Sequence, residues 1–266
     1  MHASNPMSSI PFVKATACGN DFLIIGIEHA PADIAGFSRL ICDRHNGVGA
    51  DGVEWVVPAS DADVAIRLLN ADGSEAEISG NGTRCVAARY CAEHHRTSVV
   101  IRTGAGLKTC DLTRRDGHNF EFRTAMGQPE VSREMEVRLT NEIVRGIPVS
   151  MGNPHYVMFV REFQPEWQTW AAQIATHPDF PYGTNVEVVR VLNDHEIEVR
   201  FYERGVGETM SSGTGSSAAA VASIHAGKVT SPVLVHAPGG IQTVEWDREV
   251  ILQGSATILC RGDFFV

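Results

Sequence analysis

Hydrophobic and polar positions exchange every second residue in many short runs of this chain. Residues 64–69 (VAIRLL) and 197–201 (IEVRF) alternate in this way, a period that predicts strands with one buried face. Residues 98–103 (SVVIRT), 120–124 (FEFRT), 232–237 (PVLVHA), 243–246 (TVEW) and 250–253 (VILQ) read as further strands. Residues 22–27 (FLIIGI) and 155–160 (HYVMFV), each following a Gly-Asn motif, read as early strands. Two stretches break the pattern. Residues 83–94 and 216–225 are rich in small side chains and each follows a glycine-rich turn. Both are expected to be helices packed closely inside a lobe.

The order of these runs occurs twice. Displaced by 133 residues, half the chain, Gly19-Asn20 falls on Gly152-Asn153, Arg67 on Arg200 and Glu75 on Glu208. Ser79-Gly80-Asn81-Gly82 falls on Ser212-Gly213-Thr214-Gly215. One residue further, 103–109 (TGAGLKT) falls on 237–243 (APGGIQT). Five ordered matches at nearly one offset imply two related halves, and two copies are too few for a solenoid. The expected fold is α+β: two pseudo-symmetric lobes facing one another, each a mostly antiparallel, strand-rich sheet or barrel wrapped around a central helix. The N-terminal lobe is expected at 10–124, with a C-terminal strand at 257–266 joining it, and the C-terminal lobe at 125–256. Gly146-Ile147-Pro148 is expected near the hinge.

A strand, a glycine-rich turn and a helix leave bare backbone N–H groups at the helix start, which attract an anion. Facing lobes would aim two such starts at one carboxylate or phosphate, with Ser79 and Ser212 on opposite sides. Either serine alone is equally well a helix N-cap, and the glycines are common turn residues. Their pairing within a repeat turns the reading toward a site. Neither GxxxxGK[ST] nor GxSxG occurs, which argues against a P-loop and a serine hydrolase elbow.

Composition narrows the partners. The chain has 266 residues, 43% hydrophobic and 20% charged, with net charge −10. It reads as a folded protein of one large or two ordinary domains, and its acidity argues against nucleic acid and anionic membrane. No apolar run approaches the roughly 18 residues of a membrane span. The start, MHASNPMSS, lacks a basic and an apolar signal region and reads as a frayed terminus. Six cysteines show no CxxC pair and no ligand-like spacing, so they are expected as reduced thiols in a cytoplasm, without zinc.

Five segments together resemble diaminopimelate epimerases: CGNDF (18–22), DRHNGVGADG (43–52), NADGSEAEISGNGTRC (70–85), MGNPH (151–155) and YERGVGETMSSGTG (202–215). The resemblance runs over nearly the whole chain. It implies two pseudo-symmetric lobes with the ligand in the cleft, a small-molecule amino-acid substrate, and epimerisation without pyridoxal phosphate or metal in lysine and cell-wall precursor synthesis. It also suggests a homodimer, although Cys260 stands where a dimer-contact aromatic is expected. In the family one thiolate removes the α-proton and a thiol on the opposite face returns one. Carried over by motif, Gly80, Asn81, Gly213 and Thr214 would bind the reacting carboxylate. Asn20, Asn70, Asn153, Asn185 and Arg204 would hold the distal amino-acid end, the guanidinium fork matching a carboxylate. His155 and Glu203 would sit beside the two bases, His155 by Ser79 and Glu203 by Ser212. Outside these motifs, His155 reads as a satisfied loop histidine and Glu203-Arg204 as an exposed charge pair.

The chain departs from that pattern at the reacting positions, where Ser79 and Ser212 replace cysteines. A thiol titrates near 8.5, whereas a serine hydroxyl acts only if a neighbour takes its proton as it reacts. A double variant made to hold substrate, a natural branch using serine, and a changed function all fit. Cys18 and Cys85 lie near the motifs, with Cys85 expected to pack in its helix. Beside epimerisation stand two alternatives: another isomerase or dehydratase on the same scaffold, and a non-catalytic amino-acid binder.

Overall fold

The structure is a computed structural model and describes residues 8–266. The chain forms two compact units. The first ends at Phe122 and takes in Ala256–Val266; the second is Arg123–Ser255.

In the first unit, Ser9–Ala17 (β1) turns directly into Asn20–Gly26 (β2). The turn residues Cys18 and Gly19 have φ of 51° and 77°. Two consecutive positive φ values give the mirror-image turn whose twist matches an antiparallel pair, so Asn20 is fixed opposite Ala17 as the first residue of β2. Ile34–Cys42 (α1) follows, then Gly52–Val57 (β3), parallel to β2 with Ile24 opposite Glu54. Val64–Asn70 (β4), Glu75–Ala76 (β5), Gly80–His94 (α2), Ser98–Thr103 (β6), Gly106–Asp116 (β7) and Asn119–Gly127 (β8) complete this half. Helix α2 packs against β1, β2, β6 and β7. Every residue from Gly80 to Ala88 is buried, among Phe22, Ile24, Ile101, Phe120 and Phe122. A helix covered all round favours small side chains, which the glycines, Ala87 and Ala88 supply, while the fully buried Arg84 is engaged with Asn81.

The second unit contains Glu130–Val131 (β9), Met135–Arg138 (β10), Ile143–Ser150 (β11), Pro154–Val160 (β12), Trp167–Ala175 (α3), Asn185–Asn193 (β13), Glu196–Glu203 (β14), Gly207–Thr209 (β15), Gly213–His225 (α4), Val233–Ala237 (β16), Gly240–Trp246 (β17) and the first residues of Val250–Phe265 (β18). From Ala256 on, β18 belongs to the first unit, where it runs antiparallel to β1. Its core surrounds α4, whose Ala218, Ala219, Ala220 and Ala222 are fully buried. The sequence from β2 through α1 and α2 to β8 recurs element for element from β12 through α3 and α4 to β18. The parallel pairings recur too: β2 with β3 and β4 with β6, then β12 with β13 and β14 with β16. The fold class is α+β with two pseudo-symmetric halves, as the repeat predicts.

Three expectations are corrected. Both central helices begin three residues earlier than 83 and 216, because serine caps draw the glycine-rich turns into the first helical turn. Gly146-Ile147-Pro148 is no hinge but lies within β11. Gly146 is there to admit Tyr156: a Cβ at 146 would lie 2.6 Å from the ring carbon Cζ. Of the terminus read as frayed, residues 1–7 lie outside the described residues. Ser8 is tied to the C-terminus, its hydroxyl donating to Val266 O at 2.8 Å, and Ser9 belongs to β1.

Candidate functional site

Each unit carries one copy of a repeated polar arrangement at the start of its central helix. In the first, Ser79 caps α2: its Oγ accepts from Gly82 N at 3.1 Å. The cap satisfies one of the orphan donors of the first turn, and the helix dipole leaves that turn attractive to negative charge. Asn81, 1% exposed, donates from Nδ2 to Asn20 Oδ1 at 3.5 Å, and its own Oδ1 accepts from Arg84 at 2.5 Å. Asn20 donates to Asp51 Oδ2 at 2.6 Å. Arg44 then clamps Asp51 and Asp21, both at 2.7 Å, and Lys14 lies 2.9 Å from Asp21. Burial pushes the Asp21 carboxyl up, but hydrogen bonds from Arg44 and Lys14 outweigh it and hold Asp21 below the usual carboxylate range. Asn70 ends β4 opposite Gly52. Its amide donates to Ser74 Oγ at 3.0 Å, and the next residue, Ala71, donates to Asp51 O at 2.9 Å. Asn20 and Asn81 are thus joined by side-chain hydrogen bonds at the helix start that Ser79 and Gly80 form, while Asn70 reaches this group only through the backbone bond of Ala71 to Asp51.

The second unit repeats this plan. Ser212 caps α4, accepting from Gly215 N at 3.2 Å. Asn153 donates to Thr214 Oγ1 at 3.3 Å, the counterpart of the contact between Asn81 and Asn20. Met151 and Gly152, the latter at φ 95°, form the turn that sets Asn153 before β12. His155 is buried, with Nδ1 2.7 Å from Glu187 Oε1 and Nε2 3.0 Å from Asn153 Oδ1. Burial raises the Glu187 carboxyl against the opposing pull of His155. Asn185 bridges two backbones: Nδ2 donates to Pro154 O and Oδ1 accepts from Arg204 N, both at 2.9 Å. The exposed Arg204 donates to Tyr182 O at 2.8 Å, and Gly183, with φ of 71°, leaves room for its stem. Glu203 Oε1 accepts from Thr209 Oγ1 at 2.7 Å. Ser212, Gly213, Thr214, Asn153 and His155 form one cluster, joined through Pro154 and Asn185 to Glu203 and Arg204.

Sequence reasoning missed two buried carboxyls. Glu54 on β3 is fully buried, and neither carboxylate oxygen has a hydrogen-bond partner among the described residues. Burial pushes it up to about 8. It stands against the start of α2: a Cβ at Gly82 would overlap Glu54 Oε1 and lie 3.2 Å from Ser79 Cβ. Glu187 does the same at α4, where a Cβ at Gly215 would lie 2.7 Å from Glu187 Oε1 and 3.0 Å from Ser212 Cβ. Glu54 and Glu187 are 133 residues apart, so the repeat offset was the signal that could have found them. Cys85 is fully buried and burial raises its thiol far above the usual range, which makes it a packing residue. Cys18 holds the β1–β2 turn, with Sγ 4.0 Å from Arg84.

Comparison with known proteins finds matches over nearly the whole chain. The family model for diaminopimelate epimerase matches residues 12–132 and 147–259. A diaminopimelate epimerase of Moorella thermoacetica is 38% identical, over 95% of this chain and 98% of its own length. One of Pelotomaculum thermopropionicum is 38% identical with the same coverage. Among solved structures, a hydroxyproline epimerase from Agrobacterium vitis superposes with a TM-score of 0.75 at 19% identity, over 97% of this chain and 93% of that one. A phenazine biosynthesis protein of the PhzF family from Bacillus anthracis gives 0.73 at 14% identity, over 98% and 100%. These two show the shared fold, and the full-length matches at higher identity show the kinship: the chain belongs to the diaminopimelate epimerase family.

Proposed function

We propose that this protein interconverts LL- and meso-diaminopimelate by moving the α-proton, serving lysine and peptidoglycan precursor synthesis. The observation that carries the reading is the duplicated helix start: a serine cap, a glycine and an amide or hydroxyl residue tied to an asparagine, once per unit. Inverting a stereocentre requires a proton acceptor and a proton donor on opposite faces of a planar intermediate. A duplicated half-site supplies two such groups from one inherited plan. Ser79 and Ser212 are assigned these two roles.

The remaining assignments follow the chemistry of an amino acid with two zwitterionic ends. Gly80 and Asn81 at α2, and Gly213 and Thr214 at α4, take the reacting carboxylate. Their helix dipoles favour the extra charge it gains as the α-proton leaves. Asn20, Asn70, Asn153, Asn185 and Arg204 hold the distal amino and carboxylate groups. Asn185 also fixes the Arg204 backbone, so its loss should weaken substrate binding through Arg204 as well as directly. His155 and Glu203 stand beside the two bases, with Glu203 as the proton partner of Ser212. Serine needs such partners because its hydroxyl is several units more basic than a thiol, and the reaction is correspondingly slow. No pyridoxal phosphate or metal is required. The protein is read as a cytoplasmic homodimer, and light scattering of the purified chain tests the dimer.

The test is incubation with LL-diaminopimelate, separation of stereoisomers by chiral chromatography, and mass measurement of the products. Formation of the meso isomer at unchanged mass supports the reading. A product lighter by water would replace it with an elimination. Tight binding without conversion would replace it with an amino-acid binder.

A further inference from the structure

Glu54 has no part in the roles assigned above, yet its placement is unusual. A carboxyl with no hydrogen bond among the described residues, fully buried in a strand, is costly to keep. It is matched by Glu187 at the equivalent position of the other unit, also against a glycine of the first turn and also near the cap serine. Glu187 has His155 as partner. The residue matching His155 in the first unit is Phe22, which offers no hydrogen bond. The carboxyl of Glu54 and the Cβ of Ser79 therefore flank the same point, where Gly82 provides space that any side chain would fill.

We propose that Glu54 holds the exchangeable proton for Ser79, as a positioning residue acting through the serine. This rests on the epimerase reading. In the forward step the substrate Cα–H bond breaks and Ser79 Oγ gains that proton. The original Oγ–H bond breaks as Glu54 gains its proton, and the electron pair left on Cα spreads into the substrate carboxylate. In the reverse step Glu54 returns its proton to Oγ while Oγ protonates Cα. Nothing is oxidised or reduced. Catalytic hydrogen bonds are often long in the free enzyme and tighten with substrate, so the Ser79 side chain is expected to turn toward Glu54 on binding. A carboxyl raised to about 8 is poised to do both jobs near neutral pH. Of the titratable groups, Cys85 on α2 lies near Glu54, and Arg84, Cys18 and Asp21 in turn lie near Cys85. Cys85 stays a thiol there, and Arg84 is engaged with Asn81.

The experiment has one arm that does not depend on turnover. Glutamate labelled with 13C at Cδ is followed by NMR across pH in the wild-type protein, in Ser79→Ala and in Ser79→Gly, a well-tolerated cap. In the free protein the Glu54 signal should titrate with a midpoint near 8; with LL-diaminopimelate bound, that midpoint should fall in the wild type, as the Ser79 hydroxyl turns to donate to the carboxylate, and in neither variant. An unmoved midpoint overturns the proposal. The second arm is α-proton exchange of LL-diaminopimelate in deuterium oxide. Glu54→Gln should cut exchange by about 100-fold or more and remove the acid limb of the pH profile, and Glu54→Asp should restore part of it. Equal exchange in wild type and Glu54→Gln overturns the proposal and leaves the epimerase reading standing. A shifted midpoint with no exchange in the wild type upholds the coupling of Glu54 to Ser79 and removes the epimerase reading instead.

Discussion

Glu54 has exchanged water for apolar neighbours without gaining a hydrogen bond, so the fold favours its neutral form. Its folded pKa is raised from 4.5 to about 8. A raised pKa contributes stability that is fully present below the unfolded value and is lost as pH rises through the folded one. The wild-type protein should therefore lose about 1.4 kcal/mol per pH unit from this residue across that window. Glu54→Gln should flatten the loss, which urea denaturation at pH 6 and pH 8 would read; equal slopes in the two proteins would remove this account of Glu54. Glu187 is a different case, because it has a partner. Glu187→Ala leaves the His155 ring buried without its carboxylate, at a cost of about 3–5 kcal/mol. Glu187→Gln, which keeps a hydrogen bond to the ring, should cost clearly less in the same denaturation assay. These carboxyls were not legible as site residues from the chain alone. A glutamate in an alternating strand reads as solvent-facing, and only the parallel strand beside β3 and the helix above it bury Glu54 on both faces.

At the scale of elements, the helix starts carry both stability and chemistry. Ser79→Ala removes the cap from Gly82 N and should cost about 1 kcal/mol. Gly82→Ala should cost about 1–3 kcal/mol, since the new methyl meets Glu54 Oε1. Combining Gly82→Ala with Glu54→Ala should recover much of that cost; additive losses in thermal melts would show that the two positions do not touch. The sequence made these helices visible through their small residues, and serine capping explains why they begin at Gly80 and Gly213. Helices α1 and α3 were harder to see. Asp33 does cap α1, its side chain accepting from Gly36 N at 2.8 Å, and Phe37 and Ile41 recur at helical spacing on its buried side. That signal is only nine residues long and lies beside stronger strand patterns. The supposed hinge at Gly146 failed for a packing reason: glycine there makes room for an aromatic ring and leaves the strand intact.

At the scale of the molecule, the repeat is the feature that the chain displayed most openly. The offset of 133 residues that aligned five motifs also aligns α1 with α3, α2 with α4 and Glu54 with Glu187. The halves then diverge in what surrounds each serine. Beside Ser212, Glu187 is engaged with His155, whereas the matching carboxyl beside Ser79, Glu54, has no hydrogen-bond partner among the described residues. Restoring thiols at both positions, as Ser79→Cys with Ser212→Cys, should speed α-proton exchange about tenfold or more, because a thiolate is reached near neutral pH and an alkoxide is not. A double variant slower than the wild type would mean that the surroundings have become specific for serine.

The measurement that bears most directly on two-base chemistry by this chain is proton NMR of LL-diaminopimelate in deuterium oxide, with the wild-type protein, Ser79→Ala and Ser212→Ala. The wild type should wash out the α-proton while the meso isomer appears, and neither single variant should form the meso isomer. Unchanged α-proton signal with the wild type over days, or meso formation by a variant lacking one serine, would contradict the assignment of Ser79 and Ser212 to the two faces of the reaction.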